Sequence, residues 1–444
     1  MPVTASMRRV MENVLMIASL EFAAGCGDYW RARGRAESRR LIWIRPARNS
    51  FASLDAMDRA SPLPHWRLRG RELLPVVQGG MGVGVSAHRL AGNVARLGAV
   101  GTLSSVELRQ HHPDLLALDR GARDKALIDR TNLVALDREV RAALALAGGR
   151  GTIAVNVMKA VAQHAAYVRQ SCESGAHAIV MGAGLPLDLP DLASGFPHVA
   201  LIPILSEARG AGIVLRKWMR KNRLPDAIVI EHPRYAGGHL GATRIEEVAD
   251  RRYDFAPVLE AIFAIYAELG IESERIPVVV AGGIHTHDQV RILLALGASA
   301  VQLGTPFAVT EEGDAHPEFK RVLAEAQPRD LVTFMSVAGL PARAVATPWL
   351  KRYLQRENAL QSHAKADERR CVPGAGCLTS CGLRDGIATA GQFCIATRLA
   401  AALHGDVGKG LFFRGSEPLP FGSAIRPVAE LLEYLLTGLR PAPC

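Results

Sequence analysis

The sequence predicts an α/β fold, a (β/α)8 barrel of eight parallel strands, with a C-terminal Cys/Gly-rich appendage and a poorly ordered N-terminal extension. Three observations predict the barrel. Eight short runs rich in β-branched residues recur between residues 73 and 305, and most are separated by a stretch of helical character. The runs are nearly continuously apolar, as expected for parallel strands buried on both faces. Unusual residues cluster just after the runs, and in a barrel all strand ends meet at one mouth.

The predicted strands follow one another in a regular order. They are LLPVVQGG (73–80), AVGTLS (99–104), TIAVNVM (152–158), AHAIVMGAG (176–184), VALIPILS (199–206), DAIVIEHP (226–233), PVVVAGGI (277–284) and SAVQLGT (299–305). Helices are predicted between them, and several end at a glycine, the residue preferred just beyond a helix C-terminus. A doubly wound open sheet is the alternative; eight units favour the barrel.

The chain divides into three predicted segments. Residues 1–70 are rich in Arg and Ala and show no persistent period, so an irregular extension is expected. Residues 71–345 contain the barrel. Residues 346–444 are expected to form a helical and Cys-rich C-terminal lid or appendage.

Charge and cysteine content limit the function classes. The net charge is +10, but residues 1–72 alone hold 13 Arg and 7 acidic residues, and aromatic residues make up only 5% of the chain. We therefore expect no nucleic-acid partner. Seven cysteines, an odd number, do not indicate a disulfide framework and favour a reducing cytoplasm. No apolar run has the length needed to span a membrane.

Glycine turns follow the first, seventh and eighth predicted strands. QGGMGVGVS (78–86) allows the backbone to approach a flat ligand closely. The turns at Gly282, Gly283, Gly304 and Thr305 follow strands seven and eight, where barrels commonly hold a phosphate on backbone N–H groups. The alternative is that these glycines serve only tight turns.

Two polar side chains stand at other predicted strand ends. Asn156 ends the third strand and can offer a donor and an acceptor to a heterocycle, or serve as a strand-end cap. His239 follows the sixth strand within AGGHLGA, between Gly238 and Leu240 in a stretch of small residues. Histidine is the side chain most easily poised as an acid or base near neutral pH, and the alternative is a solvated loop histidine.

These motifs, in this order and spacing, resemble the nitronate monooxygenase family, formerly called 2-nitropropane dioxygenases. That family also includes FMN-dependent enoyl-ACP reductases. The resemblance covers about residues 73–345. The longer pattern, with IEHP, AGGHLGA, TEEGDA, GLPARA and a C-terminal cysteine cluster, is similar to a subgroup described as NAD(P)H-dependent flavin oxidoreductases.

The resemblance implies an FMN-binding TIM barrel with a defined set of site residues. In this implied site, the phosphate is held by Gly282, Gly283, Gly304 and Thr305. The isoalloxazine ring is lined by Gly79, Gly80 and Met81 and is contacted by Asn156. The turn at Gly237 and Gly238 passes close to the ring, and His239 is the general base or acid.

The implied reaction is the oxidation of a nitronate, or of a nitroalkane after loss of its α proton, by O2 to a carbonyl compound and nitrite. One alternative is an enoyl-thioester reductase of the fatty-acid or polyketide type that uses NAD(P)H as reductant. A third, of another class, is a non-catalytic FMN-binding protein. The oligomeric state is left open, a homodimer included.

Two segments depart from the subgroup pattern. The chain has TEEGDA (310–315) where TEECDA is expected, and SVAG (336–339) where SPVG is expected. The second segment is expected to lie beside the flavin, so its change affects the expected substrate range more than cofactor binding.

The cysteine cluster comprises Cys371, Cys377, Cys381 and Cys394, spaced C-x5-C-x3-C-x12-C. Four thiols in so short a segment could hold zinc or an iron–sulfur cluster. The spacing matches neither a zinc ribbon nor a ferredoxin run. The preferred interpretation is therefore a compact lid with reduced cysteines and no metal.

Overall fold

The computed structural model describes residues 63–118, 124–366 and 378–442. The strands, in chain order, are β1 (Trp66–Leu68), β2 (Arg71–Leu73), β3 (Val76–Gln78), β4 (Val100–Ser104), β5 (Thr152–Met158), β6 (Ala178–Gly182), β7 (Ala200–Leu205), β8 (Ile228–Glu231), β9 (Gly238–His239), β10 (Val278–Ala281), β11 (Ala300–Leu303), β12 (Leu331–Met335) and β13 (Pro341–Val345).

The helices of the described residues lie mainly between and after the barrel strands. They are α1 (His88–Arg96), α2 (Pro113–Leu118), α3 (Lys125–Ala147), α4 (His164–Glu173), α5 (Leu189–Leu192), α6 (Ala208–Met219), α7 (Phe255–Glu268), α8 (His287–Ala295), α9 (Thr305–Ala308), α10 (Pro317–Glu325), α11 (Pro348–Leu354), α12 (Glu357–Ser362), α13 (Gly382–Asp385), α14 (Ile395–Leu403) and α15 (Val428–Thr437).

Eight parallel strands close into a barrel in the order β3, β4, β5, β6, β7, β8, β10, β11, and β11 pairs back onto β3. Each predicted strand contains one barrel strand. The prediction of a (β/α)8 TIM barrel is therefore confirmed, and the open-sheet alternative is wrong. The order along the chain is also the order around the barrel, so all eight carboxyl ends meet at one mouth.

The β1–β2 hairpin covers the opposite end of the barrel. Trp66, Leu68 and Leu73 are buried in one cluster with the inward-facing residues of the barrel strands. Arg71 donates from Nη1 to the carbonyl of Gly151, just before β5 begins, at 3.0 Å. The predicted boundary at residue 71 falls inside this hairpin, and residues 1–62 lie outside the described part of the chain.

Local sequence signals set several helix ends. The carboxylate of Asp124 accepts hydrogen bonds from the N–H groups of Ala126 and Leu127 and thereby caps α3. The same helix ends at Gly148, whose φ of +59° suits glycine. Thr286 and Gln289 form a capping box at the start of α8. None of the helices in the described ranges is long and apolar enough to cross a membrane.

A second, antiparallel sheet is formed by β12, β13 and the short β9. His239 is paired with Ala342 and Gly238 with Arg343. The N–H of Leu240 continues this pairing by donating to the carbonyl of Pro341 at 2.9 Å. The sheet joins the loop that follows β8 to the hairpin of β12 and β13, which is distant in the sequence.

The C-terminal segment crosses the mouth of the barrel. Leu378 forms an isolated bridge with Val161, in the loop after β5, and Phe413 forms one with Ala344 of β13. The buried guanidinium of Arg414 donates from Nε to the carbonyl of Leu323 at 2.9 Å. These contacts place residues 378–419 over the strand ends.

Candidate functional site

A cavity of about 890 Å3 opens at the carboxyl ends of the barrel strands. This volume lies in the range of small-molecule sites. The structure brings all eleven sequence-predicted site residues to its wall: Gly79, Gly80, Met81, Asn156, Gly237, Gly238, His239, Gly282, Gly283, Gly304 and Thr305.

The first glycine turn packs directly against the end of β5. A Cβ atom on Gly80 would lie 2.4 Å from the Cβ of Asn156, so no larger residue fits there without a shift. The side chain of Gln78 joins β3 to β4, because its Nε2 donates to the carbonyl of Thr102 at 3.0 Å and its Oε1 accepts from the N–H of Thr102 at 2.8 Å. The amide of Asn156 makes no side-chain hydrogen bond within the described residues. It is therefore available to a ligand.

The glycine turns after β10 and β11 present unused backbone donors. The N–H groups of Gly282, Gly283 and Gly304 have no acceptor in the described part of the chain. By contrast, the N–H groups of His285 and Thr286 both donate to Oε1 of Gln289, at 2.8 and 3.1 Å. Three backbone donors that take no acceptor among the described residues, at one cavity wall, fit an anion such as a phosphate.

Thr305 is fixed by the C-terminal segment. Its Oγ1 accepts a hydrogen bond from the N–H of Gly415 at 3.0 Å. Its own hydroxyl proton has no acceptor among the residues that the structure describes. Thr305 can therefore donate to a ligand oxygen beside Gly304.

His239 lies on the second sheet, beside the apolar side of the cavity. Its Nε2 is 3.1 Å from Oγ of Ser336, and its ring centroid is 5.9 Å from that of Phe413. Burial lowers the pKa of His239 to about 4, so the ring is neutral at neutral pH. The sequence placed this histidine after the sixth barrel strand; the pairing of β9 with β13 is what holds it at the mouth.

Gly237 has a neighbour that sequence analysis did not identify. A Cβ atom there would lie 2.5 Å from the carbonyl carbon of Arg414 and 2.6 Å from the nitrogen of Gly415. The absence of a side chain at Gly237 therefore admits the backbone of the C-terminal segment. The proximity of Gly237 to the flavin ring stays a prediction.

A family model describes the same part of the chain. The model for nitronate monooxygenase matches residues 71–438. The chain belongs to the nitronate monooxygenase family. The resemblance read from the motifs is thereby confirmed, and the family is one of FMN-dependent oxidoreductases.

Individual proteins that resemble the chain share limited sequence identity with it. A probable nitronate monooxygenase of Bacillus subtilis is 30% identical over 147 residues, which cover 33% of this chain and 40% of that protein. The chain thus matches less than half the length of that curated relative. FabK from Thermotoga maritima is 22% identical, with a TM-score of 0.55 over 82% of this chain and 91% of that one. A nitroalkane oxidase from Streptomyces ansochromogenes is 22% identical, with a TM-score of 0.54 over 82% and 94%. At such identities, these two structures show the fold alone.

Two polar residues of this family member escaped sequence analysis. Glu231 ends β8, lines the cavity and has no hydrogen-bond or ion-pair partner within the described residues. Burial raises the pKa of its carboxyl group to about 7. Gln302 lies on β11, and its side chain is 3.2 Å from the position of a Cβ on Gly79. The sequence contains one signal for both residues: each is a polar residue within or at the end of an otherwise apolar strand.

The C-terminal segment gives the cavity an apolar side. The lining residues from this segment include Leu378, Leu383, Ile395, Leu399 and Phe413. The opposite side consists of the glycine turns at the strand ends. A ligand in the cavity would therefore meet backbone donors on one side and aliphatic or aromatic side chains on the other.

The cysteine cluster is described only in part. Cys381 and Cys394 line the cavity, whereas Cys371 and Cys377 lie outside the described residues. Sγ of Cys394 accepts a hydrogen bond from Oγ1 of Thr397 at 3.3 Å. Within residues 63–118, 124–366 and 378–442, no group of three or more His, Cys, Asp or Glu side chains is placed to hold a metal ion. A zinc or iron–sulfur site at the complete cluster stays a prediction.

Proposed function

We propose that the protein is an FMN-dependent oxidoreductase that oxidises alkyl nitronates with O2 to carbonyl compounds and nitrite. The observation that carries this proposal is the convergence at one cavity of three unpartnered glycine N–H groups and a neutral histidine, in a member of the nitronate monooxygenase family. Neither feature alone would specify a flavin enzyme.

The residues present fit FMN. Gly282, Gly283 and Gly304 would donate their N–H groups to the phosphate, and the hydroxyl of Thr305 would add a fourth donor. Gly80 and Asn156 would face the isoalloxazine ring, since the absence of a side chain at Gly80 leaves the amide of Asn156 accessible. When bound, FMN supplies the electron acceptor for the nitronate and, once reduced, the electron donor for O2.

His239 is proposed to contact the substrate. The sequence predicted a general base here. A ring whose pKa is lowered to about 4 is a weak base, so we favour a hydrogen bond to an oxygen of a nitronate that is already ionised over removal of an α proton. The apolar side chains of the C-terminal segment would accept the alkyl part of the substrate.

The test is anaerobic reduction of the purified holoprotein, followed by flavin absorbance. We expect propionate 3-nitronate to bleach the flavin and NADPH to leave it oxidised. Bleaching by NADPH, followed by reoxidation with an enoyl thioester, would favour the reductase alternative. Bound FMN that neither compound reduces would favour a non-catalytic flavin-binding protein. Protein that binds no FMN would contradict the proposal.

A further inference from the structure

Ser336 is an enclosed serine beside the histidine of the cavity. It follows β12 directly and is 0% exposed to solvent. Its N–H donates to the carbonyl of Leu340 at 2.9 Å, and its carbonyl accepts from the N–H groups of Gly339 and Gly391, both at 3.0 Å. Three hydrogen bonds therefore fix the backbone of Ser336. They also fix the position from which its side chain carries the hydroxyl group.

Two groups of the described residues lie within hydrogen-bond distance of the hydroxyl group. Oγ accepts from the N–H of Ala338 at 3.3 Å and lies 3.1 Å from Nε2 of His239. A serine hydroxyl has one proton to donate. Since an N–H group cannot accept it, Nε2 is the one acceptor for this proton in the described part of the chain.

The ring tautomer follows from this arrangement. If Nε2 of His239 carried a proton, the hydroxyl proton of Ser336 would be buried without an acceptor. An unsatisfied buried donor is costly, whereas the buried hydroxyl proton has an acceptor when Ser336 donates to Nε2. The proton of the neutral ring then resides on Nδ1, which has no acceptor among the described residues but is not among their sealed, unpaired polar atoms, so water or a ligand in the cavity can accept from it.

We propose that Ser336 is a positioning residue that fixes His239 as the neutral Nδ1–H tautomer, so that the ring presents a hydrogen-bond donor to the substrate in the cavity. The second sheet supports this arrangement, because β12 leads into Ser336 and β13 pairs with the strand that carries His239. The role towards substrate rests on the proposed function; the tautomer does not.

The charged ring is disfavoured by the same contacts. Protonation would place hydrogen on both nitrogens, and Nε2–H would then face a serine whose own proton has lost its acceptor. Among the residues that the structure describes, no carboxylate is paired with His239 to compensate. His239 therefore donates a hydrogen bond to a nitronate oxygen and keeps its proton, and no proton is transferred at this residue during the reaction.

The tautomer can be measured directly by 15N NMR on full-length protein with labelled histidine. The chain contains 14 histidines, so the signals of His239 are assigned by their loss in His239→Asn. We expect a protonated Nδ1 and an unprotonated Nε2 near pH 7. A protonated Nε2 in the wild-type protein would overturn the proposal, whether or not any Ser336 variant folds.

Variants at Ser336 test the positioning role. Ser336→Ala is expected to shift His239 towards the Nε2–H tautomer and to reduce kcat/KM for propionate 3-nitronate about tenfold, the equivalent of one lost hydrogen bond. Ser336→Thr keeps the hydroxyl and is expected to restore the Nδ1–H signal. A Ser336→Ala protein with unchanged His239 signals would contradict the assignment.

Ser171→Ala is the matched control. Ser171 is also 0% exposed, but its Oγ donates to the carbonyl of Tyr167 at 2.7 Å within α4, and it does not line the cavity. Its loss is expected to leave the His239 signals unchanged. If the wild-type tautomer is Nδ1–H but nitronate does not reduce the flavin, the proposed function fails and the tautomer assignment stands.

Discussion

The two sides of the cavity are built in different ways. The barrel side consists of the strand ends, where Gly282, Gly283 and Gly304 line the cavity with N–H groups that have no acceptor among the described residues. The other side consists of the second sheet and residues 378–419, which contribute side chains such as that of Phe413. Backbone donors suit an anionic group, and apolar side chains suit the carbon part of a ligand. We therefore expect substitutions on the barrel side to lower FMN affinity and substitutions on the other side to lower turnover.

The largest expected effect is on the barrel side. In Gly80→Ala, the added Cβ would lie 2.4 Å from that of Asn156, so the turn or the asparagine must move. We expect FMN affinity to fall about 100-fold, as overpacking of a rigid site typically costs a few kcal/mol. Titration of flavin fluorescence measures the effect.

Gly195→Ala is the control for this substitution. Gly195 is exposed, and an added Cβ would meet no atom within 4 Å. Its FMN affinity should equal that of the wild-type protein. Equal affinities for Gly80→Ala and Gly195→Ala would mean that the first glycine turn does not contact the flavin.

The second effect concerns the histidine on the opposite side. His239→Ala removes the hydrogen bond proposed for the nitronate anion, and a hydrogen bond to a charged group is worth about 10- to 100-fold in rate. We expect kcat/KM to fall by this factor while FMN affinity stays within about twofold. Because the pKa of His239 is lowered to about 4, its contribution should not vary between pH 6 and pH 8. Full turnover in the His239→Ala variant would show that His239 does not contact the substrate.

A smaller effect is expected where the C-terminal segment meets the loop after β8. In Gly237→Ala, the added Cβ would lie 2.5 Å from the backbone of Arg414 and push the segment outward. We expect turnover to fall about tenfold with FMN affinity nearly unchanged. A loss of FMN affinity as large as that in Gly80→Ala would show that both sides of the cavity hold the cofactor. That result would contradict separate roles for the two sides.

The last effect concerns the stability of the fold and leaves both the cofactor and the substrate side of the cavity in place. Burial raises the pKa of Glu231 from its ordinary value of 4.5 to about 7, so between these pH values the folded chain binds a proton that the unfolded chain has released. The free energy of unfolding contributed by this group therefore falls as pH rises through that window, by about 3 kcal/mol in total. Glu231→Gln should remove the dependence and raise Tm at pH 8 by about 5 °C.

Thermal unfolding at pH 4.5 and pH 8 measures this difference. Glu260→Gln, on the exposed face of α7, is the control and should follow the wild-type curve at both pH values. A Glu231→Gln protein that also follows the wild-type curve would indicate that Glu231 is charged and compensated in the folded protein.

The fold is predictable from the sequence because the signals that specify it are local. A run such as PVVVAGGI contains both the apolar residues of a doubly buried strand and the glycines of the turn that follows. The eight runs therefore predicted the barrel and its mouth. The predicted glycines, Asn156 and His239 indeed line one cavity, although their contacts with FMN remain predictions.

The missing parts depend on contacts between distant residues. Glu231 has the sequence context of an ordinary strand end, and only the folded barrel shows that its carboxyl group has no partner within the described ranges. In the sequence, Ser336 is only a departure from a family pattern. Its link to His239 cannot be seen there, because a hydrogen bond between residues 97 positions apart leaves no periodic pattern. The role of Gly237 also needed the position of Arg414.

By itself, the sequence determined the barrel, the turns at its mouth and the membership that those motifs indicate, because strand periodicity and glycine turns are set by neighbouring residues. The tertiary structure decided what surrounds His239: a strand pairing with β13, the hydroxyl of Ser336 and the ring of Phe413. The state of a buried histidine is set by the groups packed around it, and chain folding alone brings those groups together.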